Sequence, residues 1–600
     1  MVISTAWLLG GASAVLAAPN VVLQPSRTSG VAPLAVHFDA TGTTDAGLDA
    51  FSQLSYDWDF GDSGAGNWQI SGLSKNSAHG PVAAHVFEAP GTYTVQVRVT
   101  NPSGAASSRT VSISVSNPDA VYSGANTTCV SSTGSFSGCP TGAQQVTSSS
   151  FDGALAYAGA GRRVLLRRGD TFTSAGVGAN RGGPGTVGAF PASGAPPLVR
   201  ASTSSAVVKL SGTSAQFDDW RIMDIAFEGP SVTGSRLFSV VGQVRRLLVL
   251  RVSAELFHTP LALGYQSASA MHEEIFIVDS TFAKMVGGMG GNGGYVASNR
   301  GAFLGNTFND STGAEHVLRL PYIGWGVISH NYMAHPASTK HVLKLHSIGE
   351  SDVNPFAEKR SHDFVISDNV FEGGNSAWDV TIGPQNSTED ERVYRGVVER
   401  NLFRAGASGS VGLVVWASDI TVRNNVFDLS AAGGGDGVLV ARRGIEPLPA
   451  NDEVNNNTCF AATGTVDCAK FAAGAGHSAF NNLAVGAAGS SASGLGGASN
   501  LAMTSRPWIA ATPRRLVDYQ TDPTRGSALI DTGSSVSAAT LDPLGVVQPA
   551  DGNKDGIKRW DIGAFEVGTA TAGGGGGTLP PSPPPTPPPA TAPAAPVLLP

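Results

Sequence analysis

The sequence predicts an all-β chain, an N-terminal β-sandwich followed by a right-handed parallel β-helix. Three observations carry that prediction. Residues 20–117 alternate apolar and polar with period two between Gly- and Ser-rich turns, as half-buried strands do. Residues 306–346 hold one pattern twice: Asn306-Thr-Phe308 precedes His316-Val-Leu-Arg319-Leu320, and Asn331-Tyr-Met333 precedes His341-Val-Leu-Lys344-Leu345. Both the Asn pair and the His pair are 25 residues apart, the period of a solenoid coil that buries its inner face only by stacking on neighbours. The Asn-x-Phe signal then returns at Asn369, Asn401 and Asn425, and in degenerate form at Asn457 and Asn482. Gaps of 38, 32, 24, 32 and 25 residues predict extra loops on several coils. Asn at such turns can ladder between coils, with Phe stacked inside.

In chain order, residues 1–18 read as an export signal. Ile3 to Ala17 is apolar and small, although no Lys or Arg precedes it. No later stretch reaches the roughly eighteen apolar residues of a membrane span. The four cysteines form two close pairs, Cys129 with Cys139 and Cys459 with Cys468, without the Cys-x-x-Cys spacing of zinc or redox sites. Two local disulfides, and therefore an oxidising compartment and a secreted or cell-surface protein, are expected. Charged residues make up 14% and the net charge is −8, which excludes a typical nucleic-acid binder.

Within 20–117, Tyr56-Asp-Trp58-Asp-Phe60-Gly-Asp62, His85-Val-Phe87 and Pro90-Gly-Thr-Tyr93-Thr-Val95 occur in order. This stretch resembles the PKD domain, an immunoglobulin-like module, which implies a spacer or weak glycan-binding role. Trp58 and Phe60 are expected in the core, with Asp59 and Asp62 in turn hydrogen bonds. The module is expected to be separable. Residues 118–149 form a disulfide-closed connector, and 150–566 the β-helix, of about a dozen coils by the repeat count. Phe151, Leu155 and Ala158 have helical spacing, and the strand after them ends in Gly169-Asp-Thr-Phe172. This entry is similar to that of pectate-lyase-like β-helices, where a helix caps the open end. Asp551, Asn553 and Asp555 raise Ca2+ as a cofactor, but the bidentate Glu of a calcium loop is missing, so loop hydrogen bonds are expected and no other metal. Residues 567–600 are a Gly/Pro-rich tail, a spacer without a core.

Strand parity places Leu318, Leu320, Leu343 and Leu345 inside. Val317, Arg319, Val342, Lys344 and His346 then face outward, with Asp379 and Thr381 of the following coil beside them. His316 and His341 are expected as a stacked, satisfied pair, His341 with a secondary role in binding substrate. Arg319 and Lys344 would lie one rung apart, about 4.8 Å, and like charges at that distance call for an anion, either an acidic polysaccharide or Asp379 or Glu350 in the adjoining turn. A cation to neutralise a carboxylate, a base and an acid are what uronate β-elimination needs. Arg319, Lys344 and His346 are the catalytic candidates, with Asp379, Thr381 and His341 for binding. The region 150–566 resembles β-helix polysaccharide lyases of the alginate-lyase and chondroitinase-B-like group, in which a Lys acts with an Arg of the next coil. Here Thr381 stands where that Arg is wanted, and Arg319 precedes Lys344 instead. A lyase on an acidic polysaccharide is the leading expectation. The alternative is a non-catalytic extracellular glycan-binding or adhesion protein, with the charged row merely solvating the sheet. A glycoside hydrolase using Asp352 and Asp379 is the weaker third. A monomer is expected.

Overall fold

A computed structural model describes residues 17–568, apart from 177, 180–181, 213–217, 267–269, 289, 312–314, 353–355, 375–377, 387, 408–409, 446, 497–498, 537 and 539. All but the end of the expected export signal, and nearly all of the Gly/Pro-rich tail, lie outside the described residues.

The alternating strands of the N-terminal unit close into two antiparallel-rich sheets of three and five strands around Phe38, Trp58, Phe60 and Phe87. Trp58 is buried and its indole N–H donates to the Gly80 carbonyl at 2.8 Å. Asp59 accepts the Gly61 amide at 2.9 Å, a turn hydrogen bond as expected, whereas the Asp62 carboxylate meets His85 of the strand Val82–Phe87 at 3.1 Å.

The remainder is a parallel β-helix with three strands per coil. Sheet one includes Leu318–Gly324, Leu343–Leu345, Trp378–Ile382 and Val411–Val415. Sheet two includes Glu273–Val278, Val327–Ser329, His362–Ser367 and Tyr394–Glu399. Sheet three stacks thirteen short strands from Thr171–Ser174 to Leu501–Met503, matching the dozen or so coils expected. The helix Phe151–Leu155, capped by the Ser150 hydroxyl, buries Phe151 and Leu155 at the entry to the core. Both disulfides join the expected partners, Cys129–Cys139 and Cys459–Cys468.

The recurrent Asn sits where sheet two turns into sheet three. The residue before it (His330, Asp368, Arg400, Asn424, Asn456 or Asn481) takes a left-handed φ of 54–62°, which costs non-glycine residues energy. The asparagines offset it. Asn401 accepts from the Asn369 backbone N–H at 3.0 Å and from its side-chain amide at 2.9 Å. It donates to Ile366 O, Glu399 O and the next ladder residue Asn425 at 2.9–3.0 Å. Inside, Phe371, Phe403 and Phe427 follow at centroid distances of 5.0 and 4.5 Å. Asn401→Ala strands several buried polar groups at once and should cost about 3–5 kcal/mol, read as a lowered urea midpoint. A change under about 0.5 kcal/mol would show that the ladder is incidental.

The sandwich is not a free module on a tether. Ala35, Trp68, Val82, Ala84 and Val86 pack on the outer side of sheet two against Leu248, Leu250, Phe276, Val278, Leu304 and Val365. Trp68 stacks on His330 at 5.1 Å, and Lys75 pairs with Asp279 and Arg27 with Asp219 at 2.6 and 2.7 Å. At the far end, Trp508, Tyr519, Leu529 and Phe565 cover the outer side of sheet three. Asp551 accepts the backbone N–H groups of Asp555 and Gly556, both at 3.0 Å, which is loop chemistry. Among the described residues, no group of three or more His, Cys, Asp or Glu is gathered for a metal.

Candidate functional site

Register in sheet one pairs Tyr295 with Arg319, Arg319 with Lys344, and Lys344 with Thr381. The expected neighbourhood of Arg319 and Lys344 on one outer face is therefore present. Leu318, Leu320, Leu343 and Leu345 point into the core as parity requires. A β-bulge sets Leu320 and Pro321 opposite one residue of the preceding strand, so Tyr322 pairs with Ala297 and joins an outer cluster with Ile348.

The cations are covered rather than open. Lys344, expected to project into solvent, is 4% exposed. Its ammonium lies 3.3 Å from the Pro384 carbonyl and 5.3 Å from the centre of the Trp416 ring. Burial, with repulsion from Arg443 and Arg319, lowers its pKa to about 7. Arg319 lies over Tyr295 at 5.2 Å, donates to His346 Nε2 at 3.1 Å, and donates to the amide oxygen of Gln385. Arg443 lies over Trp416 at 4.6 Å and donates to the Gln385 carbonyl at 3.2 Å. Among the described residues no carboxylate forms an ion pair with Arg319, Lys344 or Arg443. Glu391 instead accepts the backbone N–H groups of Gln385 and Asn386, bracing the turn that lies on the cations.

His346 is buried, and its Nδ1–H donates to the Ser347 carbonyl at 2.8 Å, leaving Nε2 to accept from Arg319. Burial holds its pKa well below the usual histidine range. It is a neutral brace for the guanidinium, not the outward group expected. His341 is also internal to a stack: His316 lies 5.0 Å away on one side and Trp378 5.7 Å on the other. Its Nδ1–H donates to Trp378 O at 3.0 Å and its Nε2 accepts the Trp378 indole N–H at 3.1 Å. The satisfied pair is as expected, and with both ring nitrogens occupied His341 has none to offer a substrate.

Parity fails at the strand entrances. Val317 and Val342 belong to the core, and Asp379, in line with them, is fully buried beside Gly373. Neither carboxylate oxygen of Asp379 has a hydrogen-bond partner among the described residues, and burial raises its pKa well above the usual range. It is an internal carboxyl group that cannot reach the outer face. The Asp352–Asp379 hydrolase pair fails with it, since Asp352 instead accepts the Tyr265 hydroxyl at 2.6 Å. Thr381 stays beside Lys344 but is fully buried. Sequence reasoning missed Tyr295, Gln385, Trp416 and Arg443. Tyr295 was accessible by stepping back one rung from Arg319; Gln385 and Arg443 sit beyond strand ends, where periodicity carries no register.

Residues 20–114 match the PKD domain family. No curated protein matches the chain. One matching solved structure, described as a structural basis for the promiscuous specificity of carbohydrate-binding modules from the β-sandwich superfamily, is 28% identical with a TM-score of 0.14. That match covers 17% of this chain and 35% of the other, so the chain spans about a third of its length. The A-module of the Azotobacter vinelandii mannuronan C-5 epimerase AlgE4 is 14% identical over 55% of this chain and 86% of its own, with a TM-score of 0.31. A PL6 alginate lyase in complex with a trisaccharide is 12% identical over 52% and 68%, with a TM-score of 0.30. At these scores none of the three bears on what the site does.

Proposed function

We propose that the chain is an extracellular carbohydrate-active protein that cleaves an acidic polysaccharide by β-elimination at the outer face of sheet one. The observation behind this reading is the trio Arg319, Lys344 and Arg443, assembled without an ion-paired carboxylate among the described residues. Glu391, held by the turn's backbone N–H groups, attracts Lys344 and offsets only part of the repulsion among three cations, so a further anion is favoured there. The Gln385 amide oxygen on Arg319 stands where a uronate carboxylate oxygen would bind. Two disulfides support an oxidising, extracellular setting.

In this mechanism Arg319 and Arg443 hold the uronate carboxylate and acidify the C5 proton. Lys344, with a pKa of about 7, has a neutral fraction at physiological pH and takes that proton. The C5–H electrons form the C4=C5 double bond as the C4–O4 bond breaks, and the new ammonium returns its proton to the departing O4. His346 positions Arg319. Substrate must displace the Pro384–Gln385 turn, and Gln385→Ala, by removing the internal competitor, should lower KM several-fold with kcat little changed. A raised KM would instead make Gln385 a substrate contact.

The decisive assay incubates purified chain with alginate, pectate and glycosaminoglycans and follows ultraviolet absorbance of the new double bond. Its kcat/KM, which reports the free chain, should rise as pH passes about 7 and then level, because the base must be neutral. The burial of Lys344 favours a second reading, glycan binding without turnover. Salt-sensitive binding to a polyuronate with no absorbance change would establish that reading, whereas new reducing ends without absorbance would indicate hydrolysis.

A further inference from the structure

We propose that the corner between sheets one and two carries a second carbohydrate site, which takes neutral pyranose residues of a glycan chain. A cleft of about 540 Å3 lies there, walled by Tyr322, Trp325, Phe356, His362 and Tyr394. None of the cationic trio lines it. Its size falls within the roughly 300–1,000 Å3 of small-ligand sites.

Three features define the ligand. The wall is an aromatic column built by the solenoid itself: Trp325 meets His362 edge-on at 4.6 Å, and His362 stacks on Tyr394 at 5.5 Å, one coil further. Tyr394 and Phe356 remain half-buried, leaving ring surface for the C–H faces of a sugar, whereas Arg300 lies over Trp325 at 5.5 Å and makes that ring the back of the wall. The charges are already matched or are negative. Asp363 is held by Arg395 and by His362, while Glu358 is exposed at the rim. An anionic chain would meet Glu358 with no unpaired cation among the described lining residues to receive it, whereas a neutral chain loses nothing there. The exposed Glu358 carboxylate on the lining can accept from sugar hydroxyl groups, while Tyr322, 2% exposed, donates to Asn299 at 2.8 Å and shapes the wall. The bulge at Leu320–Pro321 is what turns Tyr322 outward to complete it. The cleft would anchor a neutral glycan whatever reaction the cationic face performs.

The test uses the full chain and neutral gluco-, manno- and galacto-configured tetrasaccharides, with a polyuronate tetrasaccharide as competitor, followed by saturation-transfer NMR and calorimetry. At least one neutral series should bind, with an affinity unchanged between low and high salt. Phe356→Ala and Tyr394→Ala should each weaken it at least tenfold, and Lys344→Ala should leave it unchanged. The proposal is overturned if no neutral series binds, if both wall variants bind normally, or if Lys344→Ala or the polyuronate abolishes the signal.

Discussion

Lys344→Met is expected to abolish uronate elimination while making the fold more stable below neutral pH. The loss should reach about a thousandfold, the scale on which a positioned base acts. The gain follows from linkage. Lys344 falls from the ordinary 10.5 to about 7 in the folded chain, chiefly by burial. Between those values the unfolded chain binds a proton that the folded chain does not, so stability rises with pH across that window. The cost is complete below about 7 and vanishes above about 10.5. The full shift sets an upper limit of about 5 kcal/mol, and relaxation of the covering turn should leave about 2–4 kcal/mol at pH 6. Methionine fills a similar volume and carries no charge, so it removes that penalty. Urea unfolding at pH 6 and pH 10 reads the difference. A gain that is larger at pH 10, or absent at both, would mean that the amine is solvated in the folded chain and poorly suited as a base.

The residues that set coil geometry were legible because each repeats with a physical reason. The ladder asparagines and stacked phenylalanines occupy equivalent turns and rungs, so their spacing alone marked the coil turns and the interior stack. Arg319 and Lys344 were legible for the same reason, being one rung apart in matched strands. What escaped was whatever breaks the repeat. The interior position of Asp379 depends on where its strand begins, which alternation does not mark. The burial of Lys344 depends on a turn carrying Pro384 and Gln385, whose path is set by Glu391 rather than by periodicity. The docking of the sandwich did leave a signal. Leu247 to Leu250 and Ile275 to Val278 are continuous apolar runs, which denote strands buried on both faces.

That docking leads to the second large expectation: removing residues 20–117 should leave a β-helix that self-associates rather than a smaller soluble protein. The deletion uncovers Leu248, Leu250, Phe276, Val278, Ala302, Leu304, Val327 and Val365, each at most 4% exposed in the intact chain. Fully burying one such larger side chain stabilises by roughly 1.5–3 kcal/mol. A contiguous patch of this kind on a sheet face is a site for association. The loss also unpairs Asp219 and Asp279 from Arg27 and Lys75. Trp68→Ala is the milder version. It removes the ring stacked on His330, which also fills the space beside Gly305, where a Cβ would come within 2.5 Å of the indole. It should cost about 3 kcal/mol at the interface. In the intact chain the sandwich and sheet two should then melt together, and in Trp68→Ala the sandwich should melt first. Size-exclusion chromatography and thermal unfolding of the three proteins distinguish the cases. A monomeric deletion variant with the parent midpoint would show that the sandwich rests on the β-helix without supporting it.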